Sequence, residues 1–253
     1  MSLIANKNII VTGCLQGIGR ETVKLFAEDG ANIFACSIPI VEEHVRNEFE
    51  LFCKELENNH HVFVVPIYFD MLDYNQIKNA IKEIQLRKVQ IDGLVNIAGI
   101  NRDANFGMIT EKDLQDTFQV NVFSQIIFTQ YIVRLIQRAN NKSSIIFTSS
   151  VTALDGNEGQ VTYGASKAAL IGAMKSMSKE LGKKNIRVNC IAPGVIKTSM
   201  TDKVPTNVIN DKIKKMDIPK LGEPKNVAEL YMYLISDLSS HITGQVIRID
   251  GGM

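Results

Sequence analysis

Two side chains that can move and stabilise a proton stand four residues apart, Tyr163 and Lys167. The apolar stretch that follows them, residues 168–174, contains no proline and predicts a buried helix. Because residues four apart lie on one face of a helix, the phenol and the ammonium are expected to project into the same space. A positive charge there stabilises the phenolate, so we expect Lys167 to lower the pKa of Tyr163 towards neutrality. Such a phenol can exchange a proton at pH 7, which a free tyrosine with a pKa of about 10 does poorly.

A glycine-rich segment follows the first predicted strand directly and precedes an amphipathic helix. Its glycines allow a tight turn and let the backbone approach a pyrophosphate, which then rests on the helix N-terminus. The spacing is Gly-x-x-x-Gly-x-Gly, and no Gly-Lys-Ser/Thr sequence follows, which excludes a P-loop. The segment therefore predicts a dinucleotide site that includes Gly13, Leu15, Gln16, Gly17, Ile18 and Gly19.

The residue at the end of the second predicted strand bears on the choice of cofactor. Dinucleotide-binding folds often carry an acidic residue there, which binds the ribose 2′-hydroxyl. In this chain the position holds Ser37, followed by Ile38. The missing carboxylate removes the repulsion that would exclude a 2′-phosphate, which favours NADP(H). Because no Arg or Lys stands at Gln16 or Ile38 to bind that phosphate, NAD(H) stays open.

The composition narrows the class of protein. Of 253 residues, 45% are hydrophobic and 22% charged, with a net charge of +1, as in a soluble globular protein. A near-neutral chain has too little net charge to attract nucleic acid or an anionic membrane surface. No apolar run approaches the ~20 residues that span a bilayer. No signal-peptide pattern begins the chain, and the four cysteines lack the spacing of a zinc site or a disulfide framework. These features predict a cytoplasmic protein without a metal, a nucleic-acid partner or a membrane partner.

Seven apolar runs bounded by turn residues alternate with helical patterns along the chain. Most runs are continuous, as expected for parallel strands covered on both faces. They are residues 9–11, 33–36, 62–65, 94–97, 145–148, 188–191 and 246–249, and the amphipathic segments between them include 20–29, 42–58, 74–87 and 111–139. The alternation predicts an α/β fold, with residues 1–253 as a single domain around a doubly wound parallel sheet of about seven strands.

Two segments depart from the regular alternation. Residues 197–222 are polar and contain Pro205 and Pro219, and they predict a mobile lid over a substrate. Residues 37–61 are longer than the usual connection and rich in glutamate. A longer solvated helix accounts for this second segment better than a partner-binding site does.

Further motifs occur in a fixed order around the Tyr–Lys pair and the glycine loop. They are Asn96-Ile97-Ala98-Gly99, Asn121, Ser150, Pro193-Gly194 and the terminal Asp250-Gly251-Gly252. With these motifs the chain resembles the short-chain dehydrogenase/reductase family over essentially all of its length, although Ile97 replaces the usual asparagine. The resemblance implies a Rossmann-like fold and an NAD(P)-dependent oxidoreductase that interconverts a ketone and a secondary alcohol by hydride transfer.

The resemblance also implies roles for individual residues. Tyr163 is the general acid that protonates a carbonyl oxygen, and Lys167 lowers its pKa and holds the nicotinamide ribose. Ser150, at the family's usual distance before the tyrosine, hydrogen-bonds the substrate oxygen, while Asn121 holds a water in a proton relay to Lys167. Further cofactor contacts are implied at Asp70, Met71, Asn96, Ala98, Gly99, Pro193, Gly194, Val195, Ile196 and Thr198.

Within the family, the chain is most similar to 3-oxoacyl-[acyl-carrier-protein] reductases, on residues 98–103, 155–160 and 242–253. This likeness implies an acyl-thioester substrate, an acyl carrier protein as partner, and a homotetramer. The apolar residues that permit the tetramer are Val122, Phe123, Ile126 and Ile127. Those reductases usually carry Arg at the position of Gln16. They also usually offer basic residues to the carrier protein at two positions; in this chain one of these positions is Asn141 and the other is Lys184.

Because of these departures, two other functions stay open. One is a dehydrogenase for a sugar, a polyol or another small ketone on the same scaffold. The other is a non-catalytic NADP-binding sensor, which would be expected to have lost the tyrosine or the lysine; this chain keeps both.

Overall fold

The computed structural model describes residues 2–139, 142–199 and 201–253, and within them it arranges seven strands in one parallel sheet. The strands are β1 (Asn8–Thr12), β2 (Asn32–Ser37), β3 (Val64–Tyr68), β4 (Gly93–Asn96), β5 (Ser143–Thr148), β6 (Ile186–Pro193) and β7 (Val246–Ile249). Their order in the sheet is β3-β2-β1-β4-β5-β6-β7. The chain moves outward from β1 to β3, returns to place β4 beside β1, and then moves outward the other way. Ligands of such sheets bind outside the carboxyl ends of the strands where this order reverses.

Helices cover both faces of the sheet. They are α1 (Gly17–Glu28), α2 (Glu43–His60), α3 (Tyr74–Leu86), α4 (Glu111–Phe118), α5 (Ser124–Ala139), α6 (Thr152–Asp155), α7 (Val161–Leu181), α8 (Thr206–Lys214) and α9 (Pro224–Ile235). Each face has its own hydrophobic cluster, which brings α1, α2 and α9 to one side and α3, α5 and α7 to the other. None of the helices in the described part of the chain combines the length and apolar character needed to cross a membrane.

The predicted α/β fold with a seven-stranded parallel sheet is confirmed. Ile9 and Ile10 show why the apolar runs are continuous, because both are fully buried but belong to the clusters on opposite faces. The third strand lies further along the chain than predicted. It pairs from Ile33↔Val64 to Ser37↔Tyr68 and includes Pro66, which an edge strand tolerates because one of its sides needs no ladder donor.

The amphipathic segment predicted over residues 111–139 is helical throughout, but a π turn interrupts its α-helical geometry. α4 ends at Phe118, a π-helical segment spans Gln119–Phe123, and α5 begins at Ser124. A π turn widens the helix locally and turns the side chains that follow it, and such turns are frequent at functional sites. Asn121 lies in this segment and is completely buried.

The segment 197–222 contains α8 and is tied down at both ends. Ile196 pairs with Gly222 in an isolated parallel bridge, so the segment leaves and returns at one place. Near its second end, the Ile218 N–H donates to the Gly251 carbonyl at 2.8 Å. In its middle, Lys212 Nζ on α8 donates to Asn157 Oδ1 at 3.2 Å, which attaches this helix to the loop between α6 and α7.

Candidate active site

A cavity of about 530 Å³ opens at the carboxyl ends of the strands, where the order of the sheet reverses. Its walls come from the glycine loop after β1, the end of β2, and the loops that follow β3, β4 and β5. The segment after β6 closes another side with Pro193, Gly194, Ile196 and Thr198. This is the place where doubly wound sheets bind nucleotides.

Most of the predicted site residues lie together in the cavity wall. Ser150, Tyr163 and Lys167 line one part of it. The other predicted residues that line it are Gly13, Leu15, Gln16, Gly17, Ile18, Gly19, Ser37, Asp70, Met71, Ala98, Gly99, Pro193, Gly194, Ile196 and Thr198. Three predicted residues, Asn96, Asn121 and Val195, are not part of the lining.

Asn96 and Val195 make hydrogen bonds within the protein. The Asn96 side chain is fully buried, and its Nδ2 donates to Thr129 Oγ1 on α5 at 3.2 Å. The Asn96 carbonyl accepts from Thr148 Oγ1 at 2.6 Å, which joins the ends of β4 and β5. The Val195 carbonyl accepts from Gly222 N at 3.1 Å and so anchors the returning end of segment 197–222. These contacts show how the two residues are held, and their contact with a cofactor stays a prediction.

Asn121 lies just behind the cavity wall. Its Oδ1 accepts from Ile100 N at 2.8 Å, and its Nδ2 donates to Ile100 O at 2.9 Å and to Ser166 Oγ at 3.0 Å. A Cβ on Gly99 would come within 3.1 Å of Asn121 Oδ1 and 3.2 Å of Lys167 Nζ. The π-helical segment thus brings Asn121 next to Lys167, and only a glycine leaves enough space between them.

The glycine loop is a cradle in which only bare backbone fits. Gly13 has φ +76° and a Cβ there would lie 2.9 Å from Ala98 N, while a Cβ on Gly19 would overlap the Gly13 carbonyl. α1 begins directly after this loop, at Gly17. The free N–H groups of a helix start attract anions, and the absent side chains let a phosphate approach them closely. The loop therefore fits the pyrophosphate of a dinucleotide.

Ser37 supplies a second sign of a missing ligand. It ends β2, lines the cavity and is only 4% exposed, yet its Oγ has no hydrogen-bond partner among the described residues. A buried hydroxyl without a partner costs about 1–3 kcal/mol. A ligand group that bonds this hydroxyl would recover that cost, and the end of the second strand is where the adenosine ribose of a dinucleotide lies.

Ser150, Tyr163 and Lys167 form a connected group at the other part of the cavity. Tyr163 and Lys167 lie one turn apart on α7, with Lys167 Nζ 5.7 Å from the centre of the Tyr163 ring. Lys167 is buried, and its Nζ donates to the Thr148 carbonyl at 2.8 Å. The Ser150 hydroxyl hydrogen-bonds the Tyr163 phenol.

The expected lowering of the Tyr163 pKa is wrong for this structure. Burial raises the pKa of Tyr163 to about 12, against the opposing effect of the Ser150 hydrogen bond and with a smaller contribution from the charge of Asp103. Burial also lowers the pKa of Lys167 to about 8. Desolvation disfavours the charged form of each group and is the largest cause of both shifts, while the ammonium is directed at the Thr148 carbonyl. At pH 7 the phenol is protonated and the amine is mostly charged.

The pKa values predict that reductive kcat/KM falls as the pH rises through about 8. Below that pH, Lys167 is charged and stabilises the phenolate that remains when Tyr163 gives up its proton; above it, the charge is lost. Tyr163 itself stays protonated until about pH 12, so it does not set this limb. The measurement is kcat/KM for one ketone from pH ~6 to ~10, with folding checked at each pH. A profile that stays level through that range would contradict the assignment.

Sequence reasoning missed several residues in the cavity wall. They include Phe69, Leu72, Ile100, Arg102, Asp116, Val120, Ser199 and Thr201. For Phe69, Leu72, Ile100 and Arg102 a signal existed, because they follow β3 and β4 and the carboxyl ends of parallel strands meet at one edge. Asp116 and Val120 carried no such signal, because α4 and the π turn reach the cavity only through tertiary packing.

A phosphate cradle where the sheet order reverses, with a Ser–Tyr–Lys group in the same cavity, defines a dinucleotide-dependent oxidoreductase. Comparison with known proteins agrees. A family described as Enoyl-(Acyl carrier protein) reductase matches residues 13–253. The 3-oxoacyl-[acyl-carrier-protein] reductase of Thermotoga maritima is 38% identical over 250 residues, which cover 99% of this chain and 98% of that protein. The 7alpha-hydroxysteroid dehydrogenase of Bacteroides fragilis is 30% identical over 100% of this chain and 96% of its own.

A solved structure gives the same result. The 3-oxoacyl-[acyl-carrier protein] reductase of Brucella melitensis superposes with a TM-score of 0.89 at 28% identity, over 100% of this chain and 92% of that one. The chain belongs to the short-chain dehydrogenase/reductase family. It is an oxidoreductase that acts on the CH–OH group of its donors, and the sequence prediction of this activity is confirmed.

Proposed function

We propose that this enzyme reduces 3-oxoacyl thioesters, carried on an acyl carrier protein, to the 3-hydroxyacyl form. The observation that carries the chemistry is the convergence of Ser150, Tyr163 and Lys167 in the cavity that also contains the glycine cradle. The substrate class is supported by 3-oxoacyl-[acyl-carrier-protein] reductases, to which the chain is similar over nearly its whole length. A nicotinamide dinucleotide, when bound, supplies the hydride.

The three side chains divide the work at the substrate oxygen. Ser150 donates a hydrogen bond to the carbonyl oxygen, and Tyr163 gives it a proton as negative charge develops. Because its pKa is about 12, the phenol holds that proton at neutral pH, which suits reduction. The Lys167 ammonium stabilises the phenolate that remains.

Asn121 is proposed to hold the water of a relay that returns the proton. Its Nδ2 makes two donations, whereas its Oδ1 accepts one bond from Ile100 N and keeps a second lone pair. The place that a Gly99 Cβ would occupy is close to both Asn121 Oδ1 and Lys167 Nζ. A water beside Gly99 that bonds both of these atoms would connect the amide oxygen with the ammonium.

The cofactor is proposed to be NADP(H) in preference to NAD(H). Gly13, Gly17 and Gly19 would cradle its pyrophosphate, and Ser37 would bond the adenosine ribose or its phosphate. No carboxylate stands at the Ser37 position to repel a 2′-phosphate. The tied segment 197–222, with α8 attached to Asn157, would act as the lid of the single domain.

A homotetramer and a carrier-protein contact are also proposed. Val122 is buried inside the protomer and so cannot join an interface, but Phe123 is 50% exposed on the same segment. Of the two carrier positions, Asn141 lies outside the described residues, and Lys184 is exposed near the amino ends of β5 and β6, opposite the cavity. A carrier bound there would serve the cavity of a neighbouring copy, which favours an oligomer. We place the enzyme in the cytoplasm, where its four buried, unpaired cysteines stay reduced.

The test is a substrate panel assayed with the whole enzyme and NADPH. Loss of the reduced cofactor's absorbance with an acetoacetyl thioester supports the proposal, and faster turnover on a carrier protein than on a small thioester supports the partner. Turnover of sugar, polyol or steroid ketones without turnover of the thioester would reject the acyl substrate; the steroid arm is included because of the hydroxysteroid dehydrogenase relative. Tight NADPH binding without any turnover would point to the sensor.

A further inference from the structure

The chain lacks a basic residue at Gln16 and Ile38, where a 2′-phosphate would be held, but one cation outside the cavity lining contacts the glycine loop. Arg20 lies in the first turn of α1, and its Nη1 donates to the Leu15 carbonyl at 3.4 Å. Leu15 and Gln16 both line the cavity. The Arg20 guanidinium therefore lies against the glycine loop, next to the residue where a phosphate-binding cation was expected.

Helix geometry explains how Arg20 reaches this place. Gln16 is the N-cap of α1, and Arg20 N donates to Gln16 O at 3.3 Å, so the two residues are one turn apart. Side chains four apart share a helix face, and long helical side chains point back towards the N-terminus. The guanidinium is thus carried from α1 towards the loop and the rim of the cavity.

The present partners of Arg20 hold it in position without engaging it strongly. Its Nη2 lies 3.1 Å from Glu48 Oε1 on α2, and the guanidinium stacks over the Phe52 ring with its centre 4.4 Å away. The Glu48 side chain is 67% exposed, and solvent screening leaves ion pairs this open only weakly stabilising. A phosphate dianion, which a guanidinium can bind through two parallel bonds, is a stronger partner than an exposed carboxylate.

We propose that Arg20 is the cation that recognises the 2′-phosphate of NADP(H), and that Glu48 competes with this phosphate for the guanidinium. Ser37, with its unpartnered buried hydroxyl, provides the second contact at the adenosine end of the cavity. The glutamate-rich helix α2 then has a role: its Glu48 sets how strongly the enzyme prefers NADP(H) over NAD(H). The inference rests on the proposed dinucleotide site but not on the acyl substrate.

Calorimetric titration of the whole enzyme with 2′,5′-ADP and with 5′-ADP tests this role without measuring activity. Arg20→Met keeps the aliphatic stem on Phe52 and is expected to weaken 2′,5′-ADP binding by about tenfold or more, with 5′-ADP changed less than about twofold. Arg20→Lys should recover part of the loss. Glu48→Gln, an exposed change that leaves the fold intact, should strengthen 2′,5′-ADP binding by about threefold, because the competing charge is gone.

Lys24→Met is the matched control, since Lys24 is exposed one turn further along α1 and carries the same charge. It should change the binding of both nucleotides by less than about twofold. Equal weakening of both nucleotides by Arg20→Met would show a purely structural role and overturn the inference, as would unchanged 2′,5′-ADP binding in both the Arg20→Met and Glu48→Gln variants. If the unmodified enzyme binds neither nucleotide, the proposed dinucleotide site fails and the inference fails with it. If it binds both and only the Arg20 effect is absent, this inference alone fails.

Discussion

Replacing Tyr163 with phenylalanine is expected to lower reductive kcat by about 10²- to 10⁴-fold, the usual contribution of a general acid. The change removes one hydroxyl from the cavity wall and nothing from the glycine cradle, so the dissociation constant of the cofactor should stay within about twofold. Ser150 keeps a partner after the change, because its Oγ also accepts from Thr152 N at 3.2 Å. Steady-state kinetics on the best ketone, together with fluorescence titration of NADPH, measures both effects.

Tyr74→Phe provides the control for this experiment. Tyr74 begins α3 on the surface and does not line the cavity, so its replacement should leave kcat unchanged. Retained activity in Tyr163→Phe would overturn the assignment of the proton donor. A parallel loss of NADPH binding would instead mean that the hydroxyl supports the cofactor site.

Replacing Gly19 with alanine is expected to raise the dissociation constant of the dinucleotide by about 100-fold or more and to lower the free energy of unfolding by about 1–3 kcal/mol. The new Cβ would overlap the Gly13 carbonyl oxygen and lie 2.7 Å from the Gly13 carbonyl carbon. Both atoms belong to the backbone, so relief requires α1 to move away from the loop. That movement would separate the helix start from the place where a pyrophosphate rests.

Gly182→Ala is the matched control for the glycine cradle. Gly182 has φ −56° and ψ −40°, which alanine adopts freely, and a Cβ there would have no described heavy atom within 4 Å. We expect an unchanged or slightly higher melting temperature, because alanine only restricts the unfolded chain, and an unchanged cofactor affinity. Thermal unfolding and NADPH titration of both variants decide the matter; a Gly19→Ala protein that binds NADPH normally would show that the cradle is not the pyrophosphate site.

The architecture was predictable from local pattern because the sheet is buried on both faces. Runs such as 145–148 are apolar because both of their faces are covered, and this run lies within β5, where every residue is buried. The π turn inside the helical segment 111–139 was not predicted, for a complementary reason. Its amphipathic pattern continues across Gln119–Phe123, and a π turn of five residues leaves too small a change in period to detect.

The orientation of single side chains was less predictable than the elements that carry them. Asn96 occurs in a motif that ends at the cavity, yet its amide turns towards Thr129 under the sheet. Val122 lies in an apolar stretch that looked like surface, and packing buries it. Contacts with distant parts of the chain decide the orientation of Asn96 and the burial of Val122, and the local sequence pattern does not predict such contacts.

By itself the sequence predicted the strand–helix alternation and the glycine loop from residue types at short spacing, and it predicted the Ser–Tyr–Lys group from the Tyr–Lys spacing together with the family resemblance. Tertiary structure alone decided the pKa values of Tyr163 and Lys167, since each depends on how much water the packed cavity wall removes from the group. It also decided that Arg20, one helical turn from the position where a cation was expected, contacts the backbone of the glycine loop. The spacing of residues along the chain predicts which side chains can react. Their solvation and their hydrogen-bond partners depend on tertiary packing.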